Sequence, residues 1–258
     1  MDRRGSNLEE GRRPAERIDE IGFGDLKLIQ NPDQFCYGVD AVILADFAWR
    51  FCPKFEQGVD LGTGTGVIPF ILSHKNPHAR LTGIEIQAES VKLARRSCLL
   101  NGLEERVAFL HEDVKLLEER RPELAGSVQT VTCNPPYVAR GGGIPNEGAA
   151  KFIARHETTA TLADFIKTAA WLLSERGHFF LVHRPSRLVD ILFYCRSYGL
   201  EPKDLRLVAS RKGELPNILL LHCVAGGGSQ LRLMEELCIY GEDGGYTEEI
   251  RRIYERVR

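Results

Sequence analysis

The stretch Gly58-Val59-Asp60-Leu61-Gly62-Thr63-Gly64-Thr65-Gly66 decides the architecture of this chain. An apolar run of strand length ends in an acid. Glycines on alternate positions then turn the chain into residues 67–74, whose apolar spacing predicts a helix. Strand, glycine turn and helix open a parallel α/β unit, in which the glycines let backbone approach a ligand at the carboxyl end of the strand. Dinucleotides bind to turns of this kind too, so the loop alone leaves the ligand open. Two details weigh against a dinucleotide. The spacing is GxGxG rather than GxGxxG, and Asp60 would repel a pyrophosphate while attracting an ammonium group.

The same alternation continues outward. Apolar runs at 58–61, 80–86, 106–110, 128–133 and 177–183 are separated by helical patterns at 67–74, 88–100, 114–124, 162–173 and 187–198. This predicts a mostly parallel sheet with helices on both faces. A helix over 39–49 precedes it, with Asp40 as its expected N-cap. Late runs at 203–209 and 216–224, joined by a short polar turn, read as an antiparallel hairpin on the sheet edge. Beyond Gly226 only a terminal helix from Thr247 can be assigned. The 258 residues, 43% hydrophobic and 27% charged, suffice for one large core. The expected organisation is a polar, flexible leader over 1–20 and a single domain over 21–258. No apolar stretch reaches the roughly 18 residues that span a bilayer, and the charged start is unlike a signal segment, so a cytoplasmic protein without a membrane partner is expected. The cysteines, at 36, 52, 98, 133, 195, 223 and 238, form no CxxC pair and read as reduced core residues rather than metal ligands. A net charge of −2 excludes an overall basic field, so a nucleic-acid partner requires a local patch.

Ligands of an open α/β sheet bind beyond the carboxyl ends of its strands. Those ends carry Asp60, Glu85, Asp113 and Asn134. Glu85 stands about 20 residues past the glycines, the position of a carboxylate that accepts from ribose hydroxyls. Asp113 can accept from an adenine amino group or simply cap the helix that follows. Asn134-Pro135-Pro136-Tyr137, directly after the run 128–133, suits the grip of a planar amine. The nitrogen of such an amine shares its lone pair with a π system and is a poor nucleophile. If the Asn134 side-chain oxygen and the Pro135 carbonyl each accept one N–H, the lone pair localises and can face an electrophile. Proline fixes φ and brings no competing N–H, and Tyr137 can stack on the planar group. A proline-rich turn capped by Asn134 is the plainer reading of the tetrad alone.

Taken together and in this order, Asp60/Gly62/Gly64/Gly66, Glu85, Asp113 and Asn134-Pro135-Pro136-Tyr137 resemble the class I S-adenosylmethionine-dependent methyltransferases that act on amino groups. The match extends from about Ile21 to the late hairpin. Finer features resemble the tRNA1(Val) adenine-37 N6-methyltransferase family: residues 35–40 before the first helix, Arg155-His156-Glu157, His183-Arg184-Pro185 and residues 216–219. The resemblance implies a Rossmann-like, seven-stranded fold with an antiparallel edge hairpin, and S-adenosyl-L-methionine as cofactor. Its pocket would be formed by Asp60, Gly62, Gly64, Gly66, Glu85, Ile86, Asp113, Val114 and Asn134. It also implies methylation of adenine 37 in a tRNA anticodon loop. Asn134, Pro135 and Tyr137 would serve the transfer, while Pro136, Tyr137, Arg140, Arg155, His156 and Arg184 would meet the RNA. Tyr37 to Asp40 would help close the cofactor pocket.

Arg140, Lys151, Arg155, His183, Arg184 and Arg187 follow the fourth and fifth predicted strands and could supply the local basic patch, or be an ordinary charged surface. Residues 140–148 read as a lid or as a plain surface loop. Competing functions share the tetrad. A protein glutamine N5-methyltransferase poses the same lone-pair problem, but the residues ahead of Gly58 are too few for a helical substrate domain plus the 39–49 helix. A DNA or ribosomal RNA amino-methyltransferase is a further alternative, although no inserted recognition domain is evident. A nicotinamide oxidoreductase is disfavoured by Asp60, and an RNA-binding module without catalysis would have no use for the cofactor acids.

Overall fold

Residues 58–61 and 128–133 are buried almost throughout, which places them at the centre of a sheet covered on both faces. The computed structural model describes residues 16–32, 36–136 and 160–255. A two-stranded hairpin, β1 (Arg17–Glu20) with β2 (Lys27–Gln30), leads to α1 (Val39–Phe51). Alternation follows through β3 (Gln57–Leu61), α2 (Val67–Lys75), β4 (Arg80–Glu85), α3 (Ala88–Leu100) and β5 (Val107–His111). Short turns around α4 (Leu117–Arg120) lead into β6 (Val128–Cys133). Then come α5 (Leu162–Leu172), β7 (Leu173–His183), α6 (Leu188–Ser197), β8 (Leu200–Arg211) and β9 (Ile218–Ala225). The tail adds β10 (Arg232–Leu233), β11 (Leu237–Tyr240) and α7 (Glu248–Ile253).

The strands lie in the order β5-β4-β3-β6-β7-β9-β8, with β10 and β11 both on the outer edge of β8. Among the described strands of this sheet, only β9 runs against its neighbours. The mostly parallel sheet with its antiparallel hairpin is therefore present, and the tail extends it. Strand alternation divides the core: Val59, Leu61, Val131 and Cys133 pack with Phe165 and Ile166 of α5 on one face. Opposite them, α1, α2 and α3 enclose a second cluster that includes Leu28 of the hairpin and Ile250 of α7.

Local signals account for the boundaries. Gly38, not Asp40, is the N-cap of α1; Asp40 lies inside the first turn, where its charge complements the helix dipole. Residues 114–124 do not form one helix, because Pro122 opens a fresh 3-10 turn and disfavours helical backbone at Arg121. Thr247 caps α7, accepting from Ile250 N at 3.4 Å. The last residues of the polar leader are paired strand rather than loose chain. Their hairpin is fastened to α3 by Asn101, which accepts from Lys27 N (2.9 Å) and donates to Lys27 O (2.7 Å), and by Ile29 N donating to Ser97 Oγ (2.9 Å). No helix among the described residues is long and apolar enough to cross a membrane. Cys98, Cys133, Cys195 and Cys223 are buried, in keeping with their apolar surroundings in the sequence.

Candidate active site

Parallel register assembles the rim. Asp60 lies opposite Gly83 and Thr132, Leu61 opposite Ile84 and Cys133, and Glu85 opposite His111. Asp60, Glu85 and Asn134 thus leave the sheet along one edge, with Asp113 just past the end of β5. The glycine loop bends over the end of β4, where Gly62 N (2.9 Å) and Thr63 N (3.1 Å) both donate to Ile84 O. Gly62, Gly64 and Gly66 all have left-handed backbone, at φ +70°, +56° and +89°. A side chain at Gly66 would come within 2.5 Å of Phe109, so that glycine also serves packing. At Gly64 an added Cβ would meet nothing within 4 Å, so the loop presents bare backbone to open space.

The acids on this rim differ in how they are satisfied. Asp60 is 1% exposed; its Oδ1 accepts from Thr132 Oγ1 at 2.6 Å, while its Oδ2 and the nearby Thr63 Oγ1 are buried and have no hydrogen-bond partner among the described residues. Burial pushes the Asp60 carboxyl up to about 7, against the lowering effects of Thr132 and Thr63 and with a further push from Glu85. Glu85 is also buried, but its oxygens accept from Gly64 N and Gln87 N, both at 2.9 Å. It thereby ties the glycine loop to the start of α3 and keeps lone pairs for a second donor at each oxygen. Asp113 caps the turn after β5, accepting from Lys115 N at 2.9 Å, so its capping role is realised. Ile86 is 38% exposed beside Glu85, and Val114 is buried next to Asp113.

Asn134 is half-buried, Pro135 buried and Pro136 exposed. Tyr137, Arg140, Lys151, Arg155, His156 and the 140–148 segment lie outside the described residues. Arg184 Nη1 donates to Asn217 O at 3.0 Å, joining the end of β7 to the start of β9, and Arg187 pairs with Asp190 at 2.7 Å. His183 does not fit a phosphate-binding role. It is 3% exposed, burial and the Arg187 charge push its imidazole down to about 4, and its Nδ1 accepts from Arg184 N at 2.8 Å. It is therefore neutral at ordinary pH. Thr63 and Thr132, which no motif marks, shape the Asp60 environment. Thr132 is legible only once the β3 and β6 registers are known.

These residues suit a cationic group that carries a ribose and a flat ring. The orphaned Asp60 Oδ2 awaits a donor, Glu85 has lone pairs for hydroxyls, Gly64 leaves room for close approach and Ile86 offers an apolar contact.

Known proteins resemble this chain in both sequence and fold. The family described as Methyltransferase small domain matches residues 38–190. A tRNA1(Val) (adenine(37)-N6)-methyltransferase of Porphyromonas gingivalis strain W83 is 30% identical over 206 residues, covering 78% of this chain and 79% of the relative. The protein of that name from Aeromonas hydrophila is 24% identical, with 82% and 85% covered. Among solved structures, a predicted O-methyltransferase from Agrobacterium tumefaciens superposes with a TM-score of 0.68 at 23% identity, covering 84% of this chain and 97% of that one. P. horikoshii TYW2, solved in complex with MeSAdo, gives 0.58 at 14% identity, with 83% and 73% covered. The fold is that of the class I methyltransferases, and the family match makes the chain an enzyme that transfers methyl groups. The chain belongs to the methyltransferase small domain family.

Proposed function

We propose that this protein transfers a methyl group from S-adenosylmethionine to the exocyclic N6 of an adenine in RNA, and that the target is adenine 37 of a tRNA anticodon loop. The observation that carries the reading is the placement of Asn134-Pro135 at the end of β6, one strand from the orphaned Asp60 oxygen at the end of β3. The names of the matched relatives support the choice of adenine and tRNA.

When bound, S-adenosylmethionine supplies an electrophilic methyl on a sulfonium sulfur. Asp60 would hold its ammonium end, Glu85 its ribose hydroxyls, and Gly62, Gly64 and Gly66 the backbone turn around it. Ile86, Asp113 and Val114 would surround its adenine. The Asn134 side-chain oxygen and the Pro135 carbonyl accept the hydrogens of the target amine and turn its lone pair outward. A C–N bond forms as the C–S bond breaks. The methyl would leave a neutral thioether behind, and the amine held by Asn134 and Pro135 would then lose its extra proton to solvent. No general base is needed before attack. An anticodon-loop adenine is already unpaired, so presenting it costs less than extrusion from a duplex. Pro136, Tyr137, Arg140, Arg155, His156 and Arg184 are proposed to meet the RNA.

The test uses the purified protein with methyl-labelled S-adenosylmethionine, offered tRNA, ribosomal RNA, DNA and protein. The expected product is N6-methyladenosine on digestion of tRNA, at position 37 on mapping. Asn134→Ala should abolish transfer while cofactor binding persists. Label found only in protein would instead assign the tetrad to an amide nitrogen.

A further inference from the structure

The turn after β8 and the tail build a second surface on the same rim. Because β9 alone is reversed, β8 and β11 point the same way as β6, and Tyr240 lies opposite Arg211 where both strands end. Tyr254, Tyr246 and Tyr240 stack in series, with centroids 5.5 Å and 5.6 Å apart and planes within 11° and 19°. The guanidinium of Arg211 lies over the Tyr240 ring at 5.8 Å. The stack is rooted in the core at Tyr254, 7% exposed, and emerges at Tyr240, 37% exposed. In the adjoining turn Leu215 is 92% exposed, an apolar side chain held out into solvent. The contact between Arg184 and Asn217 O anchors this turn to the residue that follows β7.

Strand spacing places this surface relative to the reaction site. From β6 across β7 and β9 to β8 is about 14 Å, and to β11 about 19 Å. A rigid ring under a planar cation, with an exposed apolar side chain in the turn that follows the cation, is a platform for an unpaired base. Phosphate is the poorer fit, because Glu214 lies 3.7 Å from Arg211 and Glu242 is exposed just past Tyr240, which leaves little net positive charge.

We propose that Arg211, Leu215 and Tyr240 form a stacking platform for a second base of the substrate RNA, a few nucleotides along the strand from the methylated adenine. The inference rests on the RNA reading above. The full-length protein and its Arg211→Ala, Leu215→Ser and Tyr240→Phe variants are titrated into a fluorescein-labelled anticodon stem-loop RNA and followed by anisotropy at low and moderate salt. Cofactor affinity is measured by calorimetry in parallel.

Arg211→Ala and Leu215→Ser should each weaken RNA binding by about tenfold, by the same factor at both salt concentrations. Tyr240→Phe should bind like the wild type, and cofactor affinity should be unchanged in all three. If the wild type binds and Arg211→Ala and Leu215→Ser bind equally well, the stack merely fastens the tail and the platform is refuted alone. A loss that vanishes at higher salt would make Arg211 a phosphate contact and overturn the stacking claim. If the wild type neither binds nor methylates the RNA, the RNA reading falls and the platform with it.

Discussion

Asp60 carries the conflict between stability and binding in this protein. Its carboxyl keeps a proton up to about 7 in the folded chain but loses it near the ordinary value of 3.8 once unfolded. The stability contributed by the protonated group is complete below about pH 4 and drains away as pH rises to about 7. Asp60→Asn mimics the protonated form, keeps an acceptor for Thr132 and gives Thr63 a donor. At pH 8 it should raise the melting temperature of the ligand-free protein by several degrees, with little change at pH 4. It should also weaken cofactor binding. Calorimetry on the wild type should show affinity rising through about pH 7 as Asp60 ionises, then falling near 8 as the ligand's ammonium deprotonates; the Asp60→Asn variant should lack the rising limb. A flat profile in the wild type would remove the ammonium contact. The glycines give a second contrast at this scale. Gly64→Ala costs about 1 kcal/mol of left-handed strain but meets no atom, so the protein should fold and lose cofactor affinity. Gly66→Ala adds a collision with Phe109, and its primary effect should be a lower melting temperature.

The elements show what periodicity reveals and what it hides. The α3 and β6 boundaries are those read from the sequence, because both are long, strongly patterned and bounded by polar residues. The hairpin β1–β2 and the strands β10 and β11 are too short for a period to show, and they form only because α3 and β8 offer partners. A polar chain across β7, β9 and β8 was equally invisible, since its members are distant in sequence. His178 Nδ1 lies 2.9 Å from His222 Nε2, and His222 Nδ1 lies 2.8 Å from Asp204 Oδ2. Arg232 Nε donates to the other Asp204 oxygen at 2.7 Å, tying in β10. Burial pushes His222 down to about 4 and lowers His178 as well. The stability the neutral His222 ring contributes is present above the ordinary value of 6.5 and is lost as pH falls through about 4, and His178 acts in the same direction. Hydrogen exchange corrected for intrinsic rates should show β8 and β9 opening preferentially as pH falls from about 6.5 toward about 4. His222→Gln should blunt that dependence, and uniform loosening of the whole sheet would disprove the local origin.

At the scale of the molecule, the rim was legible because parallel strands must deliver their carboxyl ends to one edge, so Asp60, Glu85, Asp113 and Asn134 meet whatever the loops do. The RNA surface was less legible, because charge in sequence does not say which cations are already spent. His183 is buried and neutral and Arg187 is held by Asp190, whereas Arg184 donates to the neutral Asn217 carbonyl and keeps its charge. With a net charge of −2 the protein has no long-range attraction for a polyanion, so the proposed binding of tRNA requires a local patch plus stacking. If Arg184 and the basic residues of 140–155 supply about three to five phosphate contacts, the logarithm of the binding constant should fall with that of salt with a slope of about −2 to −4. Arg184→Ala should make the slope shallower by roughly 0.7, whereas Leu215→Ser should shift the whole line without changing its slope. Anisotropy titrations across a salt series distinguish these terms. A slope near zero in the wild type would mean that phosphates are not gripped by this rim, and that the relevant substrate is not a nucleic acid.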